Sequence, residues 1–568
     1  KGAAADTIKV TGSGTQVNFI GAGDGDDTIT VDKGAKVKLV LADEGNDNVT
    51  VSDSGTYVSA INGRGGDDTI LVEKGAKVDG IVGRWGNDKI TVKDAGTVVT
   101  ENVEGNEDGD TIKILDGARV QGYVSGGRGE SPSIYGGAEK SDNDNITVEN
   151  ATVEGNVEGS MRNSYSGDDG IKIKNSHIGG ISGGFGENKI DISNVTNLDS
   201  KTIWGNKFKD IVNIDGTLKN STIITVDGED TVNINAGATI DNININTGAD
   251  KDTVNINTSI TATVQSNIVT EDGSDTVNIK SGITLTNVNV DMGAGKDTIK
   301  INDGKLNSTD RIIFKGSTLS TGSDTAADDN DEITISNATF MESSPGKRSN
   351  VYTKNGDDIV TIKEGTIFQD GSVITTGLGN DKVYLESGVQ FNKATVWADD
   401  GDDEIHINGA EFNGPRGIGG VSGGAGNDKI FINDGTKFTG GSILGDGGAT
   451  LVPTNGPGND EITISGTNTV LDNVNIDTGD TNAVGGAKDT VKIEDAQLKY
   501  TNIRSGNGND EITITGNANL TGGYNKSGSG DDAITVSGNA ILNNTYLQGE
   551  QGSDTITIGG NVKAKGGN

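Results

Sequence analysis

The chain is periodic. An aspartate followed by alternating Ile or Val recurs at Asp6, Asp27, Asp47, Asp68, Asp88 and Asp110, at intervals of 20 to 22 residues. A second regular run covers Asp210, Asp230, Asp252, Asp275 and Asp297, and a third Asp489, Asp510, Asp532 and Asp554. About 24 such units are legible along the 568 residues, some of them degraded. A repeat of this length is the signature of a solenoid: one unit cannot bury its own apolar face and must stack on its neighbours.

Within a unit the apolar residues fall two and four positions after the aspartate, as in Ile29 and Val31 or Val232 and Ile234. That is the period of a half-buried strand. A polar turn follows, such as DKGAK at 32–36, and apolar residues return near positions +10, +13 and +15, as in Ile240, Ile243 and Ile245. The odd step from +10 to +13 breaks the alternation and predicts a bend. The fold class expected is therefore all-β: one continuous parallel β-solenoid over 1–568, taken as right-handed, with about 24 coils of about 21 residues around an Ile/Val core.

Composition excludes several functions. The chain carries 46 basic against 83 acidic residues, a net charge of −37, which repels nucleic acid rather than binding it. No apolar run is long enough for a membrane span, so no membrane insertion is expected. Without cysteine there are no disulfides and no thiolate sites. The chain starts at Lys1 without a signal peptide, which predicts a processed product or a segment of a longer protein.

Asn213, Asn233, Asn255 and Asn278 share one outward strand position and should hydrogen-bond from coil to coil. All five prolines fall in stretched intervals, where inserted loops are expected near 116–143, 303–330, 336–355, 409–424 and 434–488. Coils near 165–215 look degraded: Asn188 stands at the aspartate position, and GNKFKD at 205–210 brings lysines into the turn.

The turn before each strand alternates glycines with acidic residues. Glycine admits the positive-φ backbone such a turn needs. Stacking also aligns Asp26 and Asp27, Asn46 and Asp47, Asp67 and Asp68, and Asn87 and Asp88 with their counterparts. Like charges ~5 Å apart cost roughly 3 kcal/mol per pair at an effective dielectric of about 20. A hard divalent cation with oxygen ligands removes that cost. Ca²⁺ suits it better than Mg²⁺, which demands tighter octahedral geometry and holds its water.

Here the sequence resembles the RTX (repeats-in-toxin) calcium-binding family, whose nonapeptide is G-G-x-G-N/D-D-x-U-x, U being a large apolar residue. Gly423-Gly424-Ala425-Gly426-Asn427-Asp428-Lys429-Ile430-Phe431 matches every position, with partial matches at GLGND (377–381), GPGND (456–460), GNGND (506–510) and GSGDD (528–532). The resemblance implies multiple Ca²⁺ ions between consecutive turns, and bacterial secretion, typically by a type I route. Here the phrase occurs once per coil rather than in tandem, which suggests calcium along one edge. The expected metal ligands are Asp26, Asp27, Asp47, Asp67, Asp68, Asp88, Asp110, Asp230, Asp252, Asp275, Asp297, Asp358, Asp381, Asp403, Asn427, Asp428, Asp460, Asp510, Asp532 and Asp554, with metal doubtful around 165–215.

No catalytic residues are expected. The two histidines, His177 and His406, have no base–nucleophile–orienter company, and no nucleotide-binding frame is present. Trp85, Trp204 and Trp397 precede metal-type turns and read as corner packing, as sugar-stacking platforms or as assembly contacts. Neither end carries a recognisable cap, and the 14 residues after Asp554 with the first six make one coil length. The expectation is an extracellular, non-enzymatic, calcium-stabilised solenoid of the bacterial cell surface. Its partners would be itself, head to tail as a filament, surface layer or matrix, and a cell-surface polysaccharide. The alternatives are the stalk of a large RTX adhesin and a polysaccharide-modifying β-helix enzyme.

Overall fold

The structure, a computed structural model, describes residues 4–127, 143–160, 167–195, 202–301, 310–323, 330–369, 371–433, 435–447, 458–479 and 486–566. The chain divides into two compact units, Lys1–Thr258 and Ser259–Asn568. Each is an all-β parallel solenoid, and the two carry about 23 turns of ~22 residues. No helix among the described residues is long and apolar enough to cross a membrane.

In the first unit the strand after each aspartate pairs in parallel with its counterparts one coil away. Thr28–Asp32 pairs with Asn48–Ser52, and that strand with Thr69–Glu73, so Ile29, Val49 and Ile70 stack, as do Val31, Val51 and Val72. All six are fully buried. A second sheet closes the coil: Lys36–Glu44, Tyr57–Gly65 and Lys77–Trp85 pair so that Val37, Val58 and Val78 form one column and Val40, Ile61 and Ile81 the next. Period two on the first strand and a step of three on the second keep these Ile and Val columns on the inner side. Where the second strand breaks, as at Asn220 and Asn242, a residue in the left-handed region makes the bend, with φ of 45° and 52°. Asparagine tolerates that region better than most residues.

The second unit uses the same device at Lys393, Asn473, Tyr500 and Asn544, with φ between 48° and 62°. Its core contains a feature that a count of Ile and Val does not reveal. Phe314, Phe340, Phe368, Phe391, Phe412 and Phe438 share one register column, their rings stacked face to face at 4.3–5.0 Å.

Outward rows also stack. Asn233 Nδ2 donates to Asn213 Oδ1 at 2.8 Å and Asn255 Nδ2 to Asn233 Oδ1 at 2.7 Å; Asn213 continues the row to Asp191. Asn278 holds the equivalent place in the second unit, beside Lys300. His406 lies between the rings of Tyr384 and Phe431.

Several stretches expected as loops are coil. Residues 409–424 fall largely in the strand Glu411–Ala425, which pairs Phe412 with Phe438 and Val421 with Ile443. Its register shifts on either side of Arg416, and Pro415 sits at that bulge, where the ladder needs no donor. In 336–355 the strands Ala338–Met341 and Asn350–Asn355 take ladder places, and only the intervening 342–349 leaves the sheet. Strands Arg119–Val120 and Val124–Ser125 lie in 116–143, Ile312–Lys315 and Thr318–Ser320 in 303–330, and Lys437–Asp446, Glu461–Ser465, Val470–Asp472 and Asn475–Asp477 in 434–488. The parts of these intervals at 128–142, 303–309, 324–329, 434, 448–457 and 480–485 lie outside the described residues. A long aspartate spacing fixes only how many residues are added, not where, so the expected loops are too wide. The first-sheet strands described within 165–215 are regular: Ile171, Ile190 and Val212 stack, as do Ile173, Ile192 and Ile214.

Candidate metal centre

The aspartate that opens each first-sheet strand points inward. Asp27, Asp47, Asp68 and Asp88 are at most 1% exposed. The backbone N–H of each donates to Oδ1 of the aspartate one coil further on: Asp27 to Asp47 at 2.7 Å, Asp47 to Asp68 and Asp68 to Asp88 at 2.8 Å. In the first unit this inner ladder runs on through Asp110, Asp144, Asp169, Asn188, Asp210 and Asp230 to Asp252. In the second unit it runs from Asp275 through Asp297, Asp331, Asp358, Asp381, Asp403, Asp428, Asp460, Asp489, Asp510 and Asp532 to Asp554.

The preceding residue faces the other way. Asp26, Asn46, Asp67 and Asn87 form an exposed outer ladder of reversed sense: Asn46 N–H donates back to Asp26 Oδ1 at 2.9 Å, Asp67 to Asn46 and Asn87 to Asp67 at 2.8 Å. Asp402, Asn427 and Asn459 repeat it in the second unit. Asp26 and Asp27 therefore do not converge, nor do Asp67 and Asp68, nor Asn427 and Asp428. Neighbouring residues on extended backbone project to opposite sides.

Two glycines show why the turn has its composition. Gly45 has φ +133°, and a Cβ there would collide with the carbonyl oxygen of Gly25 in the previous coil. Gly63 has no such φ; its Cβ would instead collide with Oδ2 of Asp68. Gly83, Gly423 and Gly445 stand in the same relation to Asp88, Asp428 and Asp460. The residue facing the carboxylate is kept small to admit its second oxygen. In other coils a hydroxyl takes that place, and Thr225, Thr353 and Thr376 each donate to a carbonyl of the following coil at 2.9–3.1 Å.

That second oxygen is the chemically open position. Oδ2 of Asp27, Asp47, Asp68, Asp88, Asp403, Asp428 and Asp460 is buried without a hydrogen-bond partner. Burial, reinforced by the neighbouring aspartates, pushes Asp47 up to about 6, Asp68 and Asp428 to about 7, Asp88 to about 8, Asp403 to about 9 and Asp460 to about 10. Exposed Asp402 goes the other way, held down by the backbone and side-chain amides of Asn427. A carboxylate oxygen buried without a donor needs a proton or a cation.

The donor set fits calcium. It is all oxygen, one inward carboxylate per coil beside main-chain carbonyls of the glycine turn, and hard oxygen ligands are what Ca²⁺ takes. Among the described residues no three His, Cys, Asp or Glu side chains gather as a metal group. An ion here would draw most of its ligands from the backbone. The inner residues Asp27, Asp47, Asp68, Asp88, Asp110, Asp230, Asp252, Asp275, Asp297, Asp358, Asp381, Asp403, Asp428, Asp460, Asp510 and Asp532 are buried with the column. Asp554 belongs to the exposed last coil.

The other singled-out residues form no common site. His406 has Glu404 at 3.5 Å and its two ring neighbours, and His177 opens the second-sheet strand His177–Gly184. Trp85 and Trp204 are half-exposed, at 51% and 46%, whereas the indole nitrogen of Trp397 is buried.

No family model matches this chain, and no curated protein does. Among solved structures it is similar to one described as the X-ray crystal structure of a hyperactive, Ca²⁺-dependent, β-helical antifreeze protein from an Antarctic bacterium. The identity is 18% over 71% of this chain and 83% of that one, with a TM-score of 0.28.

Proposed function

We propose that this chain is a secreted structural solenoid of the bacterial cell surface, without catalytic activity, held together by calcium along its glycine–aspartate edge. The observation that carries the reading is the row of buried carboxylate oxygens without partners, Asp27 to Asp88 and Asp403 to Asp460. A medium rich in calcium, such as lies outside a cell, supplies what those oxygens lack.

Self-assembly is the second part of the proposal. In the strand Thr555–Ile558 the inward positions Ile556 and Ile558 are 44% and 56% exposed, whereas Ile534 and Val536 of the preceding coil are buried. The first-sheet strand Thr7–Thr11 of a second copy, stacked head to tail, would cover them and complete the ladder. The same exposed coil suits the stalk of a longer adhesin, in which further coils of one chain do the covering. A surface polysaccharide remains a second proposed partner, through the exposed rings of Trp85 and Trp204.

Circular dichroism through an EGTA–calcium titration, followed by electron microscopy of the refolded material, tests both parts. The β signal should collapse on chelation and return with calcium, and filaments should grow from the refolded chain. A β signal undiminished by exhaustive chelation would remove the calcium reading. Dispersed single particles at high concentration would remove the assembly.

A further inference from the structure

Not every coil leaves its aspartate open. At the four consecutive positions Asp144, Asp169, Asn188 and Asp210 the chain supplies the missing partner itself. Buried Ser160 donates its hydroxyl to Asp144 Oδ2 at 3.2 Å and its backbone N–H to Asp169 Oδ2 at 2.6 Å. In the next coil an amide replaces the carboxylate. Asn188 accepts the ladder bond from Asp169 on Oδ1 at 3.0 Å and turns Nδ2 toward the carbonyl of Gly186 at 3.1 Å. One coil on, Asn206 donates its N–H to Asp210 Oδ2 at 2.7 Å and its Nδ2 to the Gly186 carbonyl at 2.8 Å.

The backbone explains how Asn206 reaches inward. Four residues before each aspartate the chain is usually left-handed, as at Asp43, Arg64, Arg84 and Asn106 with φ of 79° to 94°, and again at Val226, the register partner of Asn206. Asn206 is outside that region and 8% exposed. Its amide therefore occupies the turn, bonded to the carbonyl and carboxylate that elsewhere stand open. Lys207 and Lys209 replace the acidic residues of the turn, which further disfavours a divalent cation there.

We propose that the coils anchored at Asp144, Asp169, Asn188 and Asp210 are closed by side-chain and backbone donors in place of calcium, and stay folded when the ion is withdrawn. The proposal rests on the calcium reading for the flanking coils and marks where that reading stops. A segment that holds its shape unaided offers the ion-dependent coils on both sides a finished edge on which to stack, since solenoid stability passes from neighbour to neighbour.

Hydrogen exchange read by mass spectrometry on the full chain, with calcium and after EGTA, tests it. In EGTA the amides of Gly170–Lys174 and Lys189–Ser193 should exchange within about threefold of their calcium rates, while those of Asn48–Ser52 and Thr69–Glu73 speed up by about a hundredfold or more. Loss of protection everywhere would overturn the proposal and leave the calcium reading standing. Protection kept everywhere would overturn both. The paired change Asn188→Asp with Asn206→Gly removes both amide donors and restores an inward carboxylate at 188. It should raise the calcium bound per chain, measured by elemental analysis, and make the segment sensitive to EGTA. Unchanged stoichiometry and unchanged protection would count against the proposal.

Discussion

The turns that end at Asp47, Asp68 and Asp88 and those that end at Asn188 and Asp210 share one strand ladder and one core, yet solve the same electrostatic problem in opposite ways. In the first group a carboxylate oxygen is sealed in with nothing to bond to, and the small residue facing it, Ala42, Gly63 or Gly83, only makes room. In the second the small residue is kept, Gly183 or Gly205, and an amide or an N–H supplies the partner. The difference teaches that the strand pairing of a coil does not depend on how its turn is satisfied. A solenoid can therefore mix ion-dependent and ion-independent coils without changing register.

The largest expected effect comes from pH on the calcium-free chain. The folded-state pKa values of Asp47, Asp68, Asp88 and Asp403 are raised by burial, so the neutral form stabilises the fold. That stability is fully present below the unfolded value near 4 and is lost as pH rises through about 6 for Asp47, 7 for Asp68, 8 for Asp88 and 9 for Asp403. Thermal melting in EGTA should show a folded protein at mildly acid pH that unfolds on the alkaline side, and added calcium should abolish the trend. A melting temperature in EGTA that rises between about pH 5 and 9 would contradict the assignment. Asp169 and Asp210 are raised to about 7 as well, burial outweighing the N–H groups that hold them down, so the self-closed coils should share the trend there but not at Asn188, whose amide does not titrate.

A smaller effect follows from sterics. Gly45→Ala places a methyl group against the Gly25 carbonyl at a strained φ and should cost about 3 kcal/mol, with protection lost in the adjoining coils. The equivalent position in the turn that ends at Asp210 is already Phe208, whereas the turn that ends at Asn188 keeps Gly186 there, so Phe208→Gly should shift stability by less than about 1 kcal/mol. Chemical denaturation of the calcium-loaded variants would measure both. Equal costs would mean that the turn at Asp210 is no freer than the one at Asp47.

The smallest change sharpens the comparison most. Asn206→Ala removes one amide and leaves the Gly186 carbonyl with a single side-chain donor, Asn188, which should cost about 1–3 kcal/mol. Hydrogen exchange in EGTA should locate that loss between Lys189–Ser193 and Ile211–Ile214. No change there would mean that Asn206 only fills space.

Much of this was legible in the residues. Ile29 and Val31 announce a strand by period alone, the +10 to +13 step marks a real bend, and the Asn213–Asn233–Asn255 row forms as its register requires. Other features were hidden for physical reasons. Asp26 and Asp27 read as one acidic pair, but adjacent residues on extended backbone face opposite ways. Ser160 and Asn206 act on carboxylates through a local backbone change that repeat counting does not register. The phenylalanine column escaped because its members are spread over coils of unequal length, from Phe314 to Phe438. A signal for the self-closed turns was nonetheless present: amides at 188 and 206 with lysines at 207 and 209, in a chain otherwise rich in acid there.

The two opposed ladders have a consequence for how such a chain can go wrong. Sliding one coil by a single residue would carry solvent-facing Asp67 into the interior and expel Asp68, reversing both rows of bonds at once. Sliding by a whole repeat costs far less, because Asp47, Asp68 and Asp88 offer almost interchangeable seats. Misfolding in this molecule should therefore be quantised: a mistaken stack skips or doubles entire layers and is otherwise indistinguishable, strand by strand, from the correct one.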